Sequence, residues 1–316
     1  MFEFEFKEIA KKISQYPRVI IHRHKKPDGD AIGSQSGLRR LLLDNYPGVE
    51  VYTVGDPAGR YAFIKGAVCD EIPDEYYRGA LAIILDTSSP ALISDDRWRL
   101  ADETVRIDHH LFIEKIADSE LIDPSFESCA GLVAELARQN DWVLSDAAAA
   151  ALFTGIVTDS GRFRYSSTSA ATFERTAYLM SRPIDTGEIY AALYADDFEM
   201  IRARASFVMR VRFTEHHVGY IYTDRAELAA SGLDSFTASR GMVGVMSDVR
   251  GVNIWVNFTE TDDGVLCEIR SNKYNINPIA VKYGGGGHAM ASGATLRDRE
   301  QAMALLCDLD ELAANS

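Results

Sequence analysis

Seven residues, His24-Lys-Lys-Pro-Asp28-Gly-Asp30, set one imidazole and two carboxylates directly behind the apolar run Val19-Ile-Ile21. The pairing recurs. Leu81-Ala-Ile-Ile-Leu85 ends in Asp86, Thr104-Val-Arg-Ile107 ends in Asp108-His109-His110, and a later helical pattern delivers Thr158-Asp159-Ser160-Gly161. Imidazole nitrogens mixed with hard carboxylate oxygens suit a borderline divalent cation such as Mn²⁺, Zn²⁺ or Co²⁺, with Mg²⁺ a harder alternative. The competing reading of the first motif is an acidic turn whose Asp30 caps the next helix. An Asp at a strand end is also often a turn residue. Three such ends with three histidines among them favour a shared site.

The elements that must carry these groups follow from the apolar pattern. Unbroken β-branched runs at 19–21, 81–85 and 104–107 are strands buried on both faces, as in a parallel sheet. Helical patterns alternate with them, at 7–16, Ala31 to Leu43, 128–139 and 146–157, and Glu50-Val-Tyr-Thr-Val54 adds a strand. This is the βαβ rhythm of a doubly wound α/β domain, whose sites lie at the carboxyl ends of the strands. Gly161 suits a helix stop. Asp159 then sits at a helix C-terminus, where the dipole disfavours a carboxylate unless a cation compensates.

Residues 168–182 are again helical, Pro183-Ile-Asp-Thr-Gly187 breaks the chain, and 187–209 reads as a charged linker helix that includes Ala195-Asp-Asp197. Beyond it the pattern turns to antiparallel β, with Thr261-Asp-Asp-Gly264 as a hairpin signal between two alternating runs. The expected organisation is a metal-binding domain over 1–186, a linker helix over 187–209 and a smaller α+β domain over 210–316. The second domain carries Arg270-Ser271-Asn272 at a strand end and the run Gly284-Gly285-Gly286-Gly287-His288. Four glycines leading into a helix would form an anion cradle at its N-terminus, with Arg270 and His288 adding charge. The competing reading of a glycine run is a linker.

With 33 basic and 47 acidic residues, the net charge of −14 argues against long nucleic acid, whose binding rests on neutralised phosphates. A short nucleotide held by a few local cations remains compatible. Four scattered cysteines give neither a zinc knuckle nor a secreted disulfide framework. The N-terminal residues lack a basic segment followed by an apolar one, and no apolar run reaches the length of a membrane helix, so a soluble cytoplasmic protein without membrane partners is expected. Asn257-Phe-Thr259 then reads as strand sequence.

Taken together and in order, His24-x-x-x-Asp28-x-Asp30, Leu85-Asp86, Asp108-His109-His110, Thr158-Asp159-Ser160-Gly161 with Phe163-Arg164-Tyr165, Arg270-Ser271 and Gly284-Gly-Gly-Gly-His288 resemble the motifs of the DHH phosphoesterase family. The likeness spans nearly the whole chain and is to the family's two-domain NrnA-like branch, whose C-terminal DHH-associated domain binds substrate. It implies hydrolysis of very short oligoribonucleotides and of 3′-phosphoadenosine 5′-phosphate (pAp) with two Mn²⁺ ions. His24, Asp28 and Asp86 would form one metal site, and Asp30, Asp86, His109 and Asp159 the other, with Asp86 bridging. Asp108 would orient a histidine, His110 would face the substrate phosphate, and Arg164, Arg270, Ser271, Asn272, the glycine run and His288 would hold substrate. Ser160 departs from the family, where Thr commonly follows the aspartate; the hydroxyl is retained. With the metal residues on the first domain and the glycine run, Arg270 and His288 on the second, the two domains are expected to close on a short substrate; a homodimer is allowed. Cyclic di-AMP hydrolysis is the nearest alternative; a pyrophosphatase is a weaker one, since the Gly284 to His288 loop resembles the nucleotide branch, and so is a non-catalytic nucleotide sensor, since every ligand position is filled.

Overall fold

The computed structural model describes residues 3–315, which fall into two units divided between Ala195 and Asp196. The first is built on β1 (Arg18–His22), β2 (Glu50–Thr53), β3 (Ala80–Leu85), β4 (Glu103–Asp108) and β5 (Ser119–Ile122). These pair in parallel in the order β2-β1-β3-β4-β5. The chain reverses its direction of travel across the sheet between β1 and β3, and the crevice outside such a switch point is where open α/β sheets place ligands.

Alternate residues of the central strands face opposite ways, and both faces are covered. Val19, Ile21, Ile83, Leu85, Val105 and Ile107 pack under the α-helices: α1 (Glu3–Gln15), α2 (Gly29–Asn45), α3 (Cys129–Gln139), α4 (Asp146–Asp159), α5 (Ala170–Met180) and α6 (Thr186–Tyr194). Ile20, Ala82 and Ile84 instead meet Tyr77, Ile93 and Trp98, which lie on or beside short 3₁₀ turns. The parallel α/β architecture expected from the unbroken apolar runs is therefore the one observed.

Two glycines set the position of α4. A Cβ on Gly33 of α2 would lie 2.6 Å from the Ala151 carbonyl, and one on Gly155 would lie 2.9 Å from Asp30 Oδ1. Only bare backbone lets these helices approach closely enough to bring the end of α4 beside the start of α2.

The single linker helix expected over 187–209 is two helices. Residues 195–197 interrupt it, and α7 (Phe198–Val208) starts afresh in the second unit. The apolar pattern explains the break: Ile189 and Leu193 of α6 bury in the core of the first unit, whereas Phe207 buries in that of the second. The division therefore falls at 195/196, some nine residues beyond the expected end at 186.

The second unit is a six-stranded sheet in the order β10-β11-β9-β8-β7-β6, with β6 (Arg212–Phe213), β7 (Gly219–Thr223), β8 (Ile254–Thr261), β9 (Gly264–Ser271), β10 (Gly286–His288) and β11 (Ala291–Leu296). The β8–β9 hairpin turns where Thr261 pairs with Gly264, as its sequence signals. The sheet is not wholly antiparallel, because β7 and β8 run parallel. A thirty-residue crossover through α8 (Arg225–Ser231) and a π-helical turn (Thr237–Gly241) separates them, long enough to return the chain in the same direction. Val265, Cys267 and Ile269 face α10 (Arg299–Ala314) through Leu305 and Leu309.

The glycine run does not open a helix. It comes after α9 (Asn277–Lys282), turns at Gly284 with φ +79°, and enters the β10–β11 hairpin. A Cβ on Gly285 would lie 2.1 Å from the Gly293 carbonyl, so the glycines serve close strand approach and no helix N-terminus stands behind them.

Candidate active site

Six of the expected ligands converge at the carboxyl ends of the first sheet. His24 follows β1, Asp28 and Asp30 open α2, Asp86 follows β3, His109 follows β4, and Asp159 ends α4. Asp86 takes the left-handed conformation, φ +51°, which Asp tolerates better than bulkier residues. That turn ends the strand and leaves its carboxylate among the histidines.

Each histidine presents the same nitrogen. Nδ1 of His24 lies 2.8 Å from the Lys25 carbonyl and Nδ1 of His109 lies 3.4 Å from that of Phe126. A carbonyl only accepts, so both Nδ1 atoms carry protons and both Nε2 atoms face the carboxylates. His24 Nε2 lies 3.4 Å from Asp86 Oδ2 and 3.8 Å from Asp28 Oδ1. His109 Nε2 lies 3.5 Å from Asp86 Oδ1, 3.8 Å from Asp30 Oδ2 and 3.4 Å from Asp159 Oδ2. Donor atoms bonded about 2.1 Å from one ion stand about 3–3.5 Å apart, so each cluster has near the spread of a coordination shell. The two oxygens of Asp86 face different histidines, and this carboxylate joins the clusters.

The electrostatics fit a donor set for cations. Burial pushes Asp30 well above the usual carboxylate range, with the charges of Asp86 and Asp159 adding to it. Burial likewise raises Asp159 to about 6 against the pull of His109. Burial alone would lower His24 and His109; hydrogen bonding to Asp28 and Asp86 carries His24 up to about 11, and Asp86 carries His109 up to about 10. Burial opposes ionisation of Asp86 too, but the two histidines hold it well below the ordinary range. Protons thus stand in for missing positive charge. Asp86 Oδ1 is buried and accepts no hydrogen bond among the described residues, an orphaned lone pair that a cation would satisfy. Three groups, His24 with Asp28 and Asp86, Asp30 with His109 and Asp159, and Asp86 with His109 and His110, each bring their donor atoms close enough to hold an ion.

The competing cap reading is also partly realised, on different residues. Asp28, not Asp30, caps α2, accepting from the backbone N–H groups of Asp30 and Ala31 at 3.0 Å. Asp30 reaches across to the start of α3, accepting from Cys129 N at 2.7 Å and Ala130 N at 2.8 Å. These bonds fix each carboxylate's direction, as hydrogen bonds to ligating carboxylates do.

His110 is placed differently from the other two histidines. Its Nδ1–H donates to Asp108 Oδ1 at 2.7 Å, and Asp108 is held from behind by the wholly buried Arg106. The His110 side chain is 45 % exposed, against 19 % for His24 and 15 % for His109. The bond to Asp108 raises its pKa, which favours the protonated ring. Arg164 lies exposed beyond α4, where Gly161, Arg162 and Phe163 all have φ near +60°.

In the second unit the expected substrate residues are more scattered in role. Arg270 pairs with Glu268 at 3.0 Å and donates to the Ile269 carbonyl at 2.9 Å. The Ser271 hydroxyl donates to the Asn253 carbonyl at 2.9 Å and accepts from Lys273 N and Tyr274 N, so local structure occupies it. The Asn272 N–H donates to the same Asn253 carbonyl at 3.2 Å. His288 is exposed on β10. Gly284 and Gly285 border a groove of about 430 Å³ whose other wall carries Phe236, Ser239 and Arg240. Sequence reasoning missed Phe236 and Arg240. Their signal, a π-helical turn of the kind often found at functional sites, has no sequence signature. It also missed Arg106, a cation inside a strand run that reads as apolar.

Residues 18–156 match the model of the DHH family, N-terminal domain, and residues 233–315 match that of the DHHA1 domain. The bifunctional oligoribonuclease and PAP phosphatase NrnA of Bacillus subtilis is 32% identical over 96% of this chain and 97% of its own length. The chain belongs to the DHH family. A probable NrnA of Streptococcus mutans is 31% identical to this DHH protein, covering 92% of it and 93% of the relative. A crystal structure of an exopolyphosphatase-related protein from Bacteroides fragilis shares the fold, with a TM-score of 0.85 at 22% identity over 98% of this chain and 96% of the other. Among the described residues no helix of the DHH protein is long and apolar enough to cross a membrane.

Proposed function

We propose that the protein is a phosphoesterase that uses two divalent cations, Mn²⁺ before Mg²⁺, Co²⁺ or Zn²⁺, to cut very short oligoribonucleotides into mononucleotides and to remove the 3′-phosphate of pAp, leaving AMP. The observation that carries this reading is Asp86, whose two oxygens stand within 3.5 Å of two different histidines, each backed by further carboxylates. Its support in the comparisons is the activity named for the NrnA relatives, which align over nearly their full length. His24, Asp28 and Asp86 hold one ion, and Asp30, Asp86, His109 and Asp159 the other. The four carboxylates offset the charge of two divalent ions, which tolerates more anionic ligands than one ion would. A cation pair in such a site supplies Lewis acidity to the phosphoryl oxygens and an activated water.

The remaining work falls to the chain's own groups. Asp108 fixes the His110 ring by accepting from Nδ1–H, and Arg106 holds Asp108 in place from behind. The exposed Nε2–H of His110 then donates to the reacting phosphate, steadying its charge or protonating the leaving oxygen. Arg270, His288, the glycine hairpin and Arg164 bind the rest of a short substrate. Ser271 acts by shaping the strand end, since its hydroxyl is already bonded, while the exposed side chain of Asn272 adds a polar contact to substrate.

The test is a product assay of the full chain with Mn²⁺ on pAp, RNA of two to five nucleotides, cyclic di-AMP and pyrophosphate. AMP from pAp and mononucleotides from dinucleotides are expected, abolished by chelation. Turnover of cyclic di-AMP alone would shift the substrate to the family's cyclic-dinucleotide branch, and full activity after exhaustive metal removal would refute the two-cation reading.

A further inference from the structure

The residues after His110 are Leu111, Phe112 and Ile113, and all three stand in water: 76%, 60% and 66% exposed. Three consecutive large apolar side chains at that exposure mark a surface that meets something. They are not a frayed loop. Arg106 pairs with Asp108, which binds both the N–H and the ring of His110, and the same guanidinium donates to the Glu114 carbonyl at 3.2 Å. The Ser89 hydroxyl adds a bond to the Glu114 carboxylate at 3.5 Å, and Ile116 N donates to Glu120 Oε1 at 2.7 Å. One buried cation therefore clamps both ends of a three-residue tip, with His110 at one end. A preorganised apolar surface binds at little further entropic cost.

The tip's position selects its occupant. Phe112 is two residues from His110, at most about 7 Å along an extended chain. A ribose separates phosphate from base by a comparable span, so a nucleotide whose phosphate lies at His110 can lay its base on this tip. An aromatic ring flanked by two aliphatic side chains offers a stacking face with no hydrogen-bond readout, suited to any base. We propose that Leu111-Phe112-Ile113 is a base platform that positions the scissile phosphate at His110. The inference rests on the phosphoesterase reading above and adds a positioning element contributed by the first unit.

The experiment compares hydrolysis of a diadenylate with that of the ribose–phosphate dimer lacking both bases, by the Mn²⁺-loaded full chain. The parent should prefer the diadenylate, and Phe112→Ala should shrink that preference in kcat/KM by about ten- to a hundredfold, the range that stacking one base on an aromatic provides. Phe112→Trp should restore it. An unchanged preference in Phe112→Ala, with the diadenylate still hydrolysed, would overturn the platform and assign the tip to a protein partner or a second copy. Failure of the parent on both dimers would instead overturn the phosphoesterase reading beneath it.

Discussion

The two units hold their polar groups in opposite ways. In the first, carboxylates and imidazoles from four stretches of the chain crowd together, most of them buried, and their charges balance only with added protons or cations. In the second, Arg270 and Ser271 are bonded mainly to neighbouring backbone and side chains, and Asn272 and His288 are exposed, the latter on a short edge strand. Buried, mutually strained groups are costly unless they do chemistry. Exposed, locally satisfied ones suit selection of a ligand that arrives from solvent. Under the proposed function, the first unit then carries the reaction and the second adds recognition to that of the Leu111-Phe112-Ile113 platform.

The sharpest way to break that assignment is to remove the shared carboxylate. Asp86→Ala should cost on the order of 10³-fold or more in turnover of dinucleotides, since the loss of cation stabilisation is worth several kcal/mol. Removing Asp28, which faces a single cluster, should cost less. Equal losses would mean that Asp86 does not join the two sites.

Next in size is His110→Ala, expected to lower kcat by about 10²–10⁴-fold, the contribution of a positioned acid or donor at a reacting phosphate. Metal content measured by elemental analysis should stay at the parent value, because Nδ1 is committed to Asp108 and the side chain is far more exposed than those of His24 and His109. Loss of an ion in this variant would move His110 into the metal shell with Asp86 and His109, a grouping the geometry also permits. His288→Ala sharpens the other side of the comparison. It should raise KM for dinucleotides roughly tenfold, the worth of about 1.4 kcal/mol, while kcat and metal content stay near those of the parent. A collapse of kcat alone would draw the second unit into the chemistry.

How far the site was legible depends on the kind of residue that signals it. Asp and His at the ends of apolar runs are visible because they interrupt a pattern, and the parallel sheet then brings distant interruptions to one edge. Asp86, Asp108 and Asp159 were readable for that reason. Which carboxylate caps which helix was not, because Asp28 and Asp30 are two residues apart and the choice depends on where α3 begins. The glycine run misled for a related reason. Glycines free the backbone without specifying the element that comes next, and here the Gly285–Gly293 approach, invisible in sequence, makes a hairpin. The linker reading failed at Ala195-Asp-Asp197, where helical propensity continued but the apolar face changed cores.

A smaller effect concerns pH. In the metal-free protein His24 and His109, raised to about 11 and about 10, both carry protons at neutral pH. Their contribution to stability is complete below the unfolded value near 6.5 and is lost as pH rises through about 10–11. A metal ion needs the neutral rings, so binding should release a proton from each histidine at pH 7, with any held by Asp30 or Asp159 adding to them, and tighten as pH rises. Calorimetry of Mn²⁺ binding in two buffers of different ionisation enthalpy reads this directly. Binding that releases no protons would show that the histidines are not the ligands.

The central claim is that one carboxylate joins two cation sites, and a metal count tests it most directly. After loading with Mn²⁺ and gel filtration, the parent should hold two ions per chain, His110→Ala should hold two, and Asp86→Ala should hold almost none. An Asp86→Ala protein that folds and still carries two ions would contradict the account.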